Sequence, residues 1–294
     1  MLNPVLLAAR PKTLPAAIVP VWAGCVLAWK ATGHFSWSLA LATLGSAICI
    51  QIATNFFNDA IDADKGADTE ERLGPIRATA SGLLSRKTVY LLAGLFLILA
   101  SLLAWPLILT RGWIILAIGI PSLLLAYGYT GGPFPLAYLG LGEVFVVLFF
   151  GLIAVTGTVF VQTGQFIPQA LWLGLTVGCL SAVLITINNI RDIEEDKKSN
   201  KRTLAVRWGF EKTCNLVRSE YFIAIISFYL VLGKPNFSDV CFVLLILVFP
   251  AIKVISSVKK IGPSKALNSQ LALAGLHLLI FALGWQALAF FRPN

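Results

Sequence analysis

Charge is what this sequence has least of. Asp, Glu, Lys and Arg make up 13% of its 294 residues, against 57% hydrophobic residues and a mean hydropathy of +0.82. Soluble domains carry about 25% charged residues, so an ordinary soluble fold is excluded and most of the chain must face lipid or other lipid-facing helices. Histidine is nearly missing. His34 and His277 are the two present, and neither falls near the acidic motifs described below, which excludes a histidine base and any Ser/His/Asp or Cys/His arrangement. The five cysteines (Cys25, Cys49, Cys179, Cys214, Cys241) are odd in number, lie mostly in apolar runs and show no C-x-x-C pair. They read as small buried apolar residues. W-A-G-C at Trp22–Cys25 has the outline of a lipoprotein cleavage box, but Trp22 is large where a small aliphatic belongs. Pro15 and Pro20 also interrupt the would-be signal core, so the segment reads as a first membrane span.

What is present is a series of long apolar runs. A span needs about 20 apolar residues, and nine such runs are legible: Leu14–Thr32, Trp37–Asn58, Val89–Leu109, Trp113–Tyr129, Gly142–Gln162, Ala170–Ile190, Cys214–Leu232, Val240–Ser257 and Leu271–Phe291. Interior residues such as Pro121 and Gly151 do not split them, because membrane helices tolerate both types. The net charge of +9 does not point to nucleic acid, since the cations lie in short loops between spans rather than in one basic domain. Counted by alternating side, 19 of the 23 Lys and Arg fall on one face; Lys30, Arg111, Lys234 and Arg292 fall on the other. That bias places the N-terminus in the cytoplasm and the C-terminus outside, in a bacterial-type inner membrane. Of the 14 acids, Asp239 alone lies on the outer side. The positive-inside rule does not explain crowding of acids, so a site does.

The acids gather in two stretches. Asn55–Asp68 reads N-F-F-N-D-A-I-D-A-D-K-G-A-D, with Asn55, Asp59 and Asp62 at i, i+4, i+7 and Asn58 and Asp62 at i, i+4. A helix stacks such residues on one face. Asn188–Asn200 reads N-N-I-R-D-I-E-E-D-K-K-S-N, with Asn188, Asp192 and Asp196 again four apart. Asn55 aligns with Asn188 and Asp59 with Asp192, both at an offset of 133. Four spans separate the motifs, so both lie on one membrane face and the repeat is parallel, unlike the inverted repeats common in transporters. The expectation is an all-α polytopic protein with two parallel four-helix repeats. Repeat one covers 14–130 with a cap loop at 59–88, repeat two covers 142–257 with a cap loop at 191–213, and a last helix covers 271–291.

Oxygen-only ligands suit Mg²⁺ or Ca²⁺. Asp59, Asp62, Asp192 and Asp196 can hold two Mg²⁺ ions, with Asn58, Asn55 and Asn188 as neutral ligands or orienting groups. Mg²⁺ binds few carboxylates and leaves room for diphosphate oxygens, whose departure it assists. Lys65, Arg72, Arg77, Arg191, Lys197, Lys201 and Arg202 can clamp the remaining phosphate charge. Between the motifs, Tyr127–Glu143 (Y-G-Y-T-G-G-P-F-P-L-A-Y-L-G-L-G-E) imposes turns and offers Tyr127, Tyr129 and Tyr138, either as cation–π faces for a carbocation or as interfacial belt residues. Arg10 and Lys12 serve either an acceptor carboxylate or lipid headgroups. Asp64 reads as a solvated loop charge and Asp68 as a supporting cap residue.

N-D-A-I-D at Asn58–Asp62 and N-N-I-R-D-I-E-E-D at Asn188–Asp196 resemble the two signatures of the UbiA superfamily of intramembrane prenyltransferases. The wider superfamily has a further aspartate four residues after Asp62; here that position is Gly66 and the acid comes at Asp68. With R-P-K-T-L-P-A-A, R-L-G-P-I-R, the glycine-rich loop and K-R-T-L-A-V-R-W-G, this departure looks like the branch acting on 1,4-dihydroxy-2-naphthoate in menaquinone synthesis. The resemblance implies nine helices around a lipid-accessible cavity. It also implies Mg²⁺-dependent ionisation of a polyprenyl diphosphate held by Asn58, Asp62, Asp192 and Asp196, with Asp59 nearby. The allylic cation then alkylates the ring, and the acceptor's carboxylate leaves as CO₂. Other acceptors (4-hydroxybenzoate, homogentisate, another naphthoate) would use the same chemistry. A cation transporter would need polar residues deep within several spans, which are scarce here. The D-G-x-x-A-R pattern of phosphatidyl-alcohol transferases is absent.

Overall fold

The structure, a computed structural model, describes residues 3–66 and 72–292. Its helices are α1 (Pro4–Ala9), α2 (Pro15–Thr32), α3 (Trp37–Asp64), α4 (Arg86–Arg111), α5 (Trp113–Gly128), α6 (Gly142–Thr163), α7 (Gln169–Arg191), α8 (Ile193–Lys198), α9 (Leu204–Leu232), α10 (Phe237–Ile261) and α11 (Leu267–Phe291). Eight of them are long and apolar enough to cross a membrane. The ninth expected span is α5, with 16 residues, which at 1.5 Å per residue reaches about 24 Å. Side-chain caps set several starts: Ser36 accepts from Leu39 N–H, Ser85 from Thr88 N–H and Thr203 from Val206 N–H. Asn236 and Asp239 form a reciprocal capping box at the start of α10.

Three boundaries differ from the expected ones, each for a local reason. The second span was expected to end at Asn58, but α3 runs on to Asp64. Its last two turns are too acidic to count as apolar and are nonetheless helical. The seventh was expected from Cys214, but α9 starts at Leu204 as an amphipathic turn, then changes direction at Gly209 (φ 76°) before entering the apolar run. The second acidic motif is not one continuous helix. α7 ends at Arg191, Asp192 sits at the break, and α8 resumes at Ile193. The step of four survives in the backbone bonds, Asp192 N–H to Asn188 O (3.1 Å) and Asp196 N–H to Asp192 O (2.8 Å).

α3 packs extensively on α4, and α7 packs extensively on both α6 and α9. α2 packs on α6, and α11 packs on both α2 and α7, tying the two halves together. Trp285 of α11, 2% exposed, donates to Ala23 O of α2 at 3.2 Å. A main apolar core runs through α2, α6, α7, α9, α10 and α11. A second, around Phe56, Phe57 and Ile61 of α3, reaches α1 and Ala78 of the first cap loop. Between these cores the N-terminal half leaves a cavity of about 180 Å³.

Candidate active site

The end of α3 displays its polar residues in two directions. Asn58 and Asp62 face the Tyr127–Glu143 loop: Asn58 Oδ1 accepts from the Thr130 hydroxyl, and Asp62 Oδ1 accepts from Tyr138 OH at 2.9 Å. Arg77 of the first cap loop reaches Asp62 Oδ2 at 3.4 Å. Asp59 points elsewhere. Its Oδ2 accepts both the Thr79 N–H (2.9 Å) and the Thr79 hydroxyl (2.7 Å), so in this structure it anchors the cap loop. Asn55 is a tether as well. It donates to Ala9 O (2.8 Å) and Thr13 Oγ1 (2.9 Å) and accepts from Gln51 (3.4 Å), which binds the N-terminal segment to α3. Asp64 leaves the site altogether, paired with Arg86 at 2.7 Å. Asp68 lies outside the described residues.

The second motif is denser. Arg191 forks around its neighbour, Nε to Asp192 Oδ1 and Nη2 to Asp192 Oδ2, both 2.6 Å, and also donates to Asn188 Oδ1 at 2.8 Å. Asp196 takes Lys201 at 3.5 Å and the Thr203 hydroxyl at 3.4 Å. Burial pushes the Asp196 carboxyl up to about 6; Lys201 opposes the shift, and Asp192 and Asp62 add to it. Burial also works against the Lys201 charge, but Asp196, Asp62 and Asp192 outweigh it and hold its pKa above the ordinary value. Three carboxylates from the two motifs therefore share one field around Lys201.

The central loop joins the halves. Tyr138 bonds Asp62, its ring lies under Lys65 Nζ at 3.8 Å and near Lys201 Nζ at 5.7 Å, and its carbonyl accepts from Arg202 N–H at 3.1 Å. Lys65 also donates to Thr130 O at 2.8 Å. Burial lowers the Lys65 pKa, Asp62 opposes this and Lys201 adds to it. Tyr129 packs on Phe145 at 5.2 Å, and Phe145 stacks on Phe149 at 4.6 Å, an aromatic line leading from the acids into the cavity. The Tyr129 hydroxyl is pushed up by burial first, then by Glu143, Asp62 and Asp196, while Arg10 lowers it. Arg10 therefore faces the same space. Gln51, bonded to Asn55, lines the cavity mouth.

The expected residues thus fall into groups. Asn58, Asp62, Arg77, Asn188, Arg191, Asp192, Asp196 and Lys201 come together around the central loop, with Tyr138 among them and Tyr129 and Arg10 beside them. Lys12 and Lys197 are exposed, Tyr127 packs its edge on Phe57 (5.4 Å) with 43% exposure, and Arg72 Nε bonds Pro75 O (3.2 Å) within its own loop. Sequence reasoning did not single out Thr79, Thr130, Glu195 or Asn268. Glu195 accepts Leu73 N–H at 2.6 Å, and Asn268 contacts Arg191 from the last helix at 2.6 Å. Among the described residues no three His, Cys, Asp or Glu side chains converge closely enough to hold a metal unaided. The donors that do face the centre are carboxylate and amide oxygens, each carboxylate neutralised by a cation. That set fits Mg²⁺, which takes one or two carboxylates and fills its shell with water and substrate phosphate.

Residues 17–274 match the UbiA prenyltransferase family. The chain belongs to that family. A relative from Mycobacterium tuberculosis, 1,4-dihydroxy-2-naphthoate octaprenyltransferase, is 36% identical over 286 residues, covering 96% of this chain and 95% of that one. The Haemophilus influenzae protein of the same name is 38% identical over 213 residues, 69% and 68% of the two chains. In fold, the chain is similar to a UbiA homolog from Archaeoglobus fulgidus solved bound to DMAPP and Mg²⁺. The TM-score is 0.72 at 17% identity, covering 99% of this chain and all of that one. This UbiA-family chain is therefore an integral membrane prenyltransferase in class, with the all-helical architecture its sequence led one to expect.

Proposed function

We propose that the chain transfers a polyprenyl group from polyprenyl diphosphate to 1,4-dihydroxy-2-naphthoate, releasing diphosphate and CO₂, with Mg²⁺ as cofactor. The observation that carries this reading is the meeting of Asp62 with Asp192 and Asp196 around Lys201. The named function of relatives at 36–38% identity supports the acceptor. Asn58 and Asp62 would hold one ion, and Asn188, Asp192 and Asp196 a second; bound Mg²⁺ neutralises the leaving diphosphate. Arg77, Arg191 and Lys201 already sit on the carboxylates, so they are placed to exchange onto diphosphate oxygens. Tyr138 holds Asp62 in register. Gln51 and the Phe145–Phe149 line lead the tail into the cavity, which also keeps water from the allylic cation. Arg10 and Tyr129 border the space left for the acceptor, where Arg10 would meet its carboxylate.

The Tyr138 ring face is taken by Lys65 in this structure, so among the loop tyrosines Tyr129 is the better candidate for stabilising the cation. Purified protein given Mg²⁺, a labelled polyprenyl diphosphate and 1,4-dihydroxy-2-naphthoate should form prenylated naphthoquinol and equimolar CO₂. Product from 4-hydroxybenzoate or homogentisate instead would keep the donor half of the proposal and overturn the acceptor. The lysine and arginine distribution supports a site on the cytoplasmic face of a bacterial-type inner membrane.

A further inference from the structure

The last membrane helix carries no residue of either acidic motif, yet its first turn reaches the site. Asn268 of α11 accepts from Arg191 Nη1 at 2.6 Å and donates to Leu73 O of the first cap loop at 3.0 Å. One residue thus touches both halves. The same strand of cap loop is held from its other side, where Leu73 N–H donates to Glu195 Oε1 at 2.6 Å. The next residue, Gly74, approaches the same guanidinium closely: a Cβ there would lie 2.8 Å from Arg191 Nη2, which would have to shift. Arg191 itself is 2% exposed and spends its other donors on Asp192 and Asn188.

A guanidinium fork on a carboxylate uses one lone pair of each oxygen and leaves the others available. Asp192 Oδ2 also accepts from Asn188 Nδ2 at 3.4 Å, so the direction in which Asp192 offers its remaining lone pairs depends on where Arg191 and Asn188 are held. Arg191 has a long flexible side chain, and its position is set by its bonds to Asn188 and Asn268 and by its close approach to Gly74. We propose that Asn268 is a positioning residue of the donor site. It orients Arg191, and through it Asp192, and it closes the Leu73–Gly74 strand over the second motif so that both motifs meet one diphosphate. The inference rests on the prenyl-donor reading of the site given above.

The test uses full-length protein in detergent, titrated calorimetrically with Mg²⁺ and inorganic diphosphate. Asn268→Leu removes both hydrogen bonds, and Gly74→Ala crowds Arg191 from the opposite side. Each should weaken Mg²⁺–diphosphate binding roughly ten- to hundred-fold, the range seen when partners of metal ligands are removed. The KM for the naphthoate acceptor should stay near wild type. The double variant should lose little more than the worse single one, because both act through Arg191. A folded Asn268→Leu protein with wild-type affinity, or fully additive losses, overturns the assignment. If Asn268→Leu does not fold, Gly74→Ala decides alone, and unchanged affinity there is equally fatal. Wild-type protein that fails to bind Mg²⁺–diphosphate would instead sink the donor-site reading itself.

Discussion

At the scale of single residues, the site is a set of carboxylates balanced by cations and aimed by hydroxyls. Tyr138 is the clearest case, since its hydroxyl bonds Asp62 while its ring supports Lys65. Tyr138→Phe keeps the ring and loses the aim. Its kcat should fall about ten-fold with a raised Mg²⁺ requirement and no change in melting temperature; unaltered kinetics would remove Tyr138 from the machinery. Asp59 illustrates what sequence spacing hides. On a helix it shares a broad face with Asn55 and Asp62, so periodicity alone makes it a ligand. Its actual partner is Thr79, twenty residues on, in a loop whose course no spacing reveals. Thr79→Val should strand part of a buried carboxylate and cost about 1–3 kcal/mol of stability, read as a lowered melting temperature with a loosened cap loop. Asn268 left no signal at all. It sits in a short polar stretch just before the apolar run of the last span, 77 residues from the arginine it holds.

At the scale of elements, the bilayer makes spans easy to read, because every apolar run must be long and contiguous to cross it. The ends were harder. α3 and α9 extend as polar or amphipathic helix beyond their apolar runs, and hydropathy has no view of such turns. The short N-terminal helix α1 was not expected either. It is held by Asn55 through Ala9 O and Thr13, on either side of Arg10. Asn55→Leu should free this segment. Hydrogen exchange over residues 4–13 should rise sharply and the acceptor KM should increase, while exchange in α7 stays unchanged. Protection that persists in the variant would mean that α1 docks by apolar contact alone.

At the scale of the molecule, the 133-residue offset between the motifs predicts a parallel repeat, and α3 packs on α4 as α7 packs on α9. The motifs meet because four intervening helices return the chain to one face. An alkaline phosphatase reporter fused after Arg292 should be active, placing the C-terminus in the periplasm; an inactive fusion would reverse the orientation or remove a span. The central claim is that neither acidic motif works alone. It is tested most directly by assaying Asp62→Asn and Asp192→Asn separately, each purified and folded, with Mg²⁺, labelled polyprenyl diphosphate and 1,4-dihydroxy-2-naphthoate. The account predicts that either substitution lowers turnover at least about a hundred-fold. Normal turnover in either variant would contradict it.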